Sequence, residues 1–186
     1  MRRVVVALTG ASGACYAVRL LEIVKAMPDV ESHLVVSPAG ARTLLHETDR
    51  SLADLKDLAD VCYSHRNIGA AIASGSFVTD GMIVAPCSVK TLSGIAHCYD
   101  DDLVVRAADV CLKERRPVVL LVRETPLHAG HIQLMADATR NGAIVMPPVP
   151  AFYHRPQSLA EVVEHTVCRA LDLLGIRDTP APRWQG

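Results

Sequence analysis

A short β-branched run at residues 4–8 ends in Thr9-Gly10-Ala11-Ser12-Gly13-Ala14, and a helical pattern begins at once. No other stretch restricts the fold as much. Strand, glycine turn and helix in that order form the first unit of an α/β sheet, and the two glycines let the backbone turn tightly and approach an anion. The N–H groups opening the helix, with Ser12 as an added donor, are expected to hold a phosphate. The plain alternative is a βα turn in which Ser12 only caps the helix. Ala14, Ala17, Val18, Leu21 and Val24 keep a helical period through Met27.

The rest of the chain repeats the alternation. Residues 33–37, 81–85, 117–122 and 143–146 read as strands, the second ending at Pro86 and the third central by its apolar composition. Residues 39–47, 52–59, 91–97, 103–114 and 128–140 read as helices. A capping box, Ser158-Leu159-Ala160-Glu161, opens a last helix that runs to Leu174 with Gly175 behind it. Residues 147–156 form a proline-rich loop. The pattern predicts a three-layer Rossmann-like α/β fold with a mostly parallel central sheet. One domain is expected over residues 1–175, followed by an irregular tail at 176–186.

Half of the 186 residues are hydrophobic and mean hydropathy is +0.23, yet no apolar run approaches the roughly 18–20 residues of a membrane span. Met1-Arg2-Arg3 leads into too short an apolar run for a secretory leader. The surplus apolar surface is expected at interfaces between copies of the chain. A net charge of −1 attracts neither nucleic acid nor an anionic membrane. Cysteines 15, 62, 87, 98, 111 and 168 show no CxxC spacing. Four of them adjoin apolar residues in strands or helices, so buried free thiols in a reducing cytoplasm are expected.

Three features argue against a dinucleotide at the first turn. The glycine spacing is GxxG with Tyr16 where a third glycine would stand, the second strand ends in Ser37-Pro38 with no acidic residue for a ribose, and no YxxxK pair is present. A mononucleotide fits better. A second hydroxyl-rich turn, Pro86-Cys87-Ser88-Val89-Lys90-Thr91, also follows a buried strand, so both turns can face one ligand. Arg123-Glu124 lies just past the most apolar strand, where a surface pair and an active-site role are both open. Arg106 and Lys113 are seven apart on one helix and can meet an anion together, whereas Arg115 and Arg116 read as a solvated helix end. His128 and His131 lack a third partner for a metal, and none is expected.

Together these segments resemble the flavin prenyltransferases of the UbiX family over nearly the whole chain. The resemblance rests on TGASGA at 9–14, ETD at 47–49, SGSF at 74–77, PCS at 86–88, RAADVCLKERRP at 106–117, RETP at 123–126 and PPVPAFYHRPQS at 147–158. It implies transfer of a dimethylallyl group from dimethylallyl monophosphate to N5 and C6 of reduced FMN, without a metal. The prenylated FMN would serve a UbiD-type decarboxylase. Gly10, Ala11, Ser12, Ser37, the turn Ser88-Val89-Lys90-Thr91 and Arg123 would hold FMN. Lys113, Tyr153 and Arg169 would bind the prenyl phosphate, with Arg106 as a further substrate contact. Glu124 would act as the acid near that phosphate, with Ser12 and Glu47 assisting proton movement. Neighbouring subunits of a dodecamer would complete the site, and Trp184 would cover it or lie on the surface. An FMN-dependent decarboxylase of aromatic acids and a passive FMN carrier are the competing readings.

Overall fold

The computed structural model of the chain describes residues 1–180, so the expected role of Trp184 lies outside the described residues. Six strands form one sheet: β1 (Arg2–Leu8), β2 (Val30–Val36), β3 (Val61–Ser64), β4 (Gly81–Cys87), β5 (Val118–Val122) and β6 (Ile144–Val145). Their order is β3-β2-β1-β4-β5-β6, and every recorded pairing is parallel. The sheet is thus parallel throughout, where the sequence predicted it to be mostly so.

Alternation along the strands divides the core. Val4, Val6 and Leu8 of β1 face one apolar cluster, and Val5 and Ala7 face the other. The first cluster is covered by α1 (Ala14–Lys25), α2 (Pro38–Glu47), α3 (Leu52–Leu58) and α7 (Leu159–Leu173). The second lies beneath α4 (Val89–Ala96), α5 (Leu103–Lys113) and α6 (Ala129–Arg140). Three layers result, because strands buried on both faces need helices on both.

Side-chain caps set where most helices begin. Ser37, Ser51, Ser88, Asp102, His128 and Ser158 each accept a bond from a backbone N–H in the first turn they precede. His128 is therefore engaged as a cap through Nδ1, against the ring of His131. Helix α1 differs: Gly13 precedes it with a φ of 113°, and no side chain of its own caps it.

Three features depart from the sequence reading. Strand β3 was not expected, and β4 continues past Ala85 to Cys87 with an irregular register after Val84. Of the six thiols, Cys87, Cys111 and Cys168 are buried, while Cys15, Cys62 and Cys98 are exposed, and no disulfide joins them among the described residues. Residues 176–180 carry neither helix nor strand, and no helix among the described residues is long and apolar enough to cross a membrane.

Candidate functional site

Strand order reverses between β1 and β4, and the crevice beyond their carboxyl ends is where ligands of open α/β sheets lie. The two turns expected to face one ligand meet there. The Thr9 hydroxyl donates to the Pro86 carbonyl at 2.7 Å and accepts from the Ser88 N–H at 2.9 Å. Ser37 N–H donates to the Leu8 carbonyl at 3.0 Å, which brings the start of α2 against the end of β1. Two glycines permit that approach. A Cβ on Gly10 would lie 2.3 Å from that of Ala39, and one on Gly40 would lie 2.4 Å from the Leu8 carbonyl oxygen.

A cleft of about 520 Å³ opens between these turns, lined by Gly10, Ser37, Ser88, Lys90 and Thr91 and also by Arg42, His65 and Arg66. Its size suits a mononucleotide-sized ligand. Arg42 and Arg66 were not singled out in the sequence. Arg66 follows β3, which was itself missed, and Arg42 stands in the second turn of α2 with nothing local to mark it. A slightly larger cavity, about 550 Å³, lies at the opposite edge beside the C-terminal end of α1. Its Arg2 and Arg19 are committed to Asp80, Glu22 and Glu164, and none of the expected site residues lines it.

One expectation is overturned at the first turn. The Gly13 and Ala14 N–H groups are not left for a phosphate, because both donate to one carboxylate oxygen of Glu47, at 2.7 and 2.9 Å. Ser12 adds a side-chain bond to the same carboxylate. Burial works to raise the Glu47 pKa, but the bonds from Ser12, Ala14 and Gly13 outweigh it, with Arg123 contributing, so Glu47 is held below its usual value. A fixed anion thus occupies the positive end of α1. The helix starts left facing the cleft are those of α2 and α4, at Ser37 and Ser88. Ser37 Oγ accepts from Gly40 N–H at 3.0 Å, and Ser88 Oγ lies 3.1 Å from Thr91 Oγ1.

Arg123 and Glu124 follow β5 at the same edge. The Arg123 N–H donates to the Cys87 carbonyl at 3.2 Å, and its charge acts on both Tyr16 and Glu47. Burial raises the Tyr16 phenol, with Cys15 adding to the rise and Arg123 opposing it. Glu124 is exposed and accepts from the Thr125 N–H at 3.0 Å. Val89 and Lys90 form the first turn of α4, and the Lys90 ammonium lies 3.5 Å from Asp101 and 3.7 Å from Asp102. Gly10, Ala11, Ser12, Ser37, Glu47, residues 88–91, Arg123 and Glu124 therefore gather at one crevice.

Lys113 and Arg169 do not join them within one chain, whereas Arg106 stands one turn into α5 behind Asp102, which lines the cleft. Arg106 Nη1 donates to Asp100 at 3.0 Å and to Asp109 at 3.1 Å, so its charge is answered locally. Lys113, two turns on or roughly 10 Å along the axis, pairs with Glu114 at 2.5 Å. Within one chain Arg106 and Lys113 thus each face carboxylates of their own. Lys113 also stands at the far end of α5, next to Gly75 and just before β5, at the edge of the sheet away from the crevice. Arg169 lies on α7, in the layer across the sheet from α5, and pairs with Asp172 at 2.9 Å. Tyr153, half-exposed in the loop between β6 and α7, has its hydroxyl 2.8 Å from Nε2 of His165. His165 was not singled out in the sequence; a lone histidine on an apolar helix face gives no signal by itself.

The model of the Flavoprotein family matches residues 1–164. A flavin prenyltransferase UbiX of Escherichia coli is 57% identical over 188 aligned positions, covering the whole of both chains. Among solved structures, a dodecameric FMN-dependent UbiX-like decarboxylase from Escherichia coli superposes with a TM-score of 0.95 at 47% identity, covering 99% of this chain and 100% of that one. AnUbiX in complex with FMN and dimethylallyl pyrophosphate superposes with a TM-score of 0.96 at 44% identity, covering 100% and 98%.

Proposed function

The chain belongs to the Flavoprotein family and, within it, to the UbiX flavin prenyltransferases, and from that premise we propose that it transfers a dimethylallyl group from dimethylallyl monophosphate to N5 and C6 of reduced FMN. The observation that carries this reading is the crevice between β1 and β4, where a flavin-sized cleft and the proton-handling pair Ser12–Glu47 adjoin Arg123 and Glu124. The residues present fit FMN. The starts of α2 and α4 and the Arg42 and Arg66 guanidiniums suit its phosphate, and Gly10 lets α2 pack close enough to form that wall.

Reduced FMN supplies the nucleophilic ring atoms, and the chain's own groups do the rest. Glu47, held as a carboxylate, accepts a hydrogen bond from the Ser12 hydroxyl and so fixes it where it can receive and pass on a proton at the flavin ring. Glu124 gives a proton to the departing phosphate, and Arg123 beside it offsets the charge that develops. Lys113, Tyr153 and Arg169 hold that phosphate before and after transfer. Because α5 and α7 cover opposite faces of the sheet, these residues reach one phosphate only when supplied by neighbouring copies. A dodecamer like that of the Escherichia coli relative would supply such neighbours, and exposed apolar residues such as Ile132, Val149 and Phe152 would give it contact surface. Residues 1–175 act as one flavin-binding domain, the protein works in the cytoplasm, and its product passes to a UbiD-type decarboxylase.

The test is the mass of the flavin after anaerobic incubation with reduced FMN and dimethylallyl monophosphate. A gain of one dimethylallyl unit is expected. Unchanged mass with both ligands bound overturns the reading and favours a flavin carrier, while release of carbon dioxide from an aromatic acid by the protein alone favours a decarboxylase.

A further inference from the structure

Tyr153 sits in a loop and is half-exposed, a poor arrangement for a residue that must meet a phosphate at a fixed angle. The structure supplies a support for it. His165, on the second turn of α7 and only 7% exposed, places Nε2 at 2.8 Å from the Tyr153 hydroxyl. The His154 ring stacks on His165, with centroids 4.4 Å apart and planes 15° from parallel, and Tyr153 meets both rings edge-on. Three aromatic groups thus form one packed unit. Arg169 follows His165 by one helical turn, so the helix that carries Arg169 also anchors Tyr153.

The protonation of this unit follows from its surroundings. Burial lowers the His165 pKa, the charges of His154 and Arg169 lower it further, and Asp172 opposes them. His165 is therefore neutral near pH 7 and carries one ring proton. An ionised phosphate only accepts hydrogen bonds, and a phenol has one proton to give. If Tyr153 donated that proton to His165, none would remain for the phosphate. The Tyr153 oxygen must instead accept from His165.

We propose that His165 is a positioning residue for the prenyl donor: its Nε2–H donates to the Tyr153 oxygen and turns the phenol proton toward the phosphate of dimethylallyl monophosphate. This rests on the reading of Tyr153 as a phosphate ligand, so the experiment separates the two. KM for dimethylallyl monophosphate, kcat and FMN affinity are measured for Y153F, H165F, the double variant and H165Q, whose amide nitrogen replaces Nε2–H. H165F is expected to raise KM about tenfold, the scale of one lost hydrogen bond, with FMN affinity unchanged. H165Q is expected to stay within about threefold of the parent, because its donor survives. In the Y153F background, H165F is expected to add nothing, since both act through one bond.

A KM raised by Y153F but not by H165F overturns the inference and leaves Tyr153 in place. No rise in either variant overturns both. A further loss in the double variant also overturns it, because His165 would then act by another route. If H165F fails to fold, H165Q against H165N decides. Asparagine reaches only the position of Nδ1, so equal KM values for those two overturn the inference.

Discussion

Replacing Glu47 tests whether a carboxylate from the end of α2 caps α1. In Glu47→Ala the Gly13 and Ala14 N–H groups lose the oxygen that accepts both at 2.7 and 2.9 Å. Glu47 is largely exposed, so water replaces that oxygen, and the loss is on the scale of a helix cap, about 1 kcal/mol. Removing a negative charge from the positive end of a helix adds about 0.3–1 kcal/mol. At about 2–4 °C per kcal/mol for a domain of this size, Glu47→Ala should melt about 3–8 °C lower at fixed protein concentration. Glu47→Gln keeps an oxygen for both N–H groups and loses only the charge, so about 1–4 °C is expected. Because the folded-state pKa of Glu47 is lowered, its contribution is fully present above the unfolded carboxyl value. It is lost as pH falls through the folded one. Urea midpoints of parent and Glu47→Gln should therefore converge in acid, below about pH 4. An unaltered melting point for Glu47→Ala at neutral pH, or a gap that persists in acid, would refute the capping role.

Three other outcomes are expected. Lys113→Ala and Arg169→Ala should each lose prenyl transfer, yet after unfolding and reassembly together about a quarter of sites should regain both wild-type groups if different copies supply them; no recovery in steady-state rate would place both in one chain. Glu124→Gln should slow flavin prenylation by about 10²–10⁴-fold, the range of a lost general acid, while fluorescence titration shows FMN binding kept; loss of FMN instead would make Glu124 a binding group. Gly10→Ala should cost about 1–3 kcal/mol through overpacking, because its Cβ would fall 2.3 Å from that of Ala39, and should weaken FMN binding with it; a lowered melting point with unchanged FMN affinity would remove Gly10 from the site.

The alternation of strand and helix was legible because it is written locally, in period and caps. Strand β3 escaped for the same reason. Val61-Cys62-Tyr63-Ser64 is four residues long, lies at the edge of the sheet and is only half-buried, so its pairing with β2 and not its composition makes it a strand. The crevice was legible as two hydroxyl-rich turns, but its wiring was not. Glu47 reaches the start of α1 across a separation of 33 residues, and no local pattern announces such a contact. The Arg106–Asp109 pair is of the opposite kind: three residues apart on one helix, it is within sight of any helical wheel. Tyr153 and Arg169 carried no pattern at all and came to notice only by resemblance.

Thr9 sets the gauge of the crevice. The residue is 1% exposed, and its hydroxyl donates to the carbonyl of Pro86 near the end of β4 and accepts from the Ser88 N–H two residues later. The spacing between the first and second turns is therefore fixed by two bonds inside the protein, before any ligand arrives. A flavin bound there, as proposed, would meet a slot already cut to width and would spend little of its binding energy on ordering the walls. Valine has nearly the same shape as threonine and would leave the core volume alone, but it would unfasten both turns at once. The tolerance of the slot thus depends on the single hydroxyl of a buried residue.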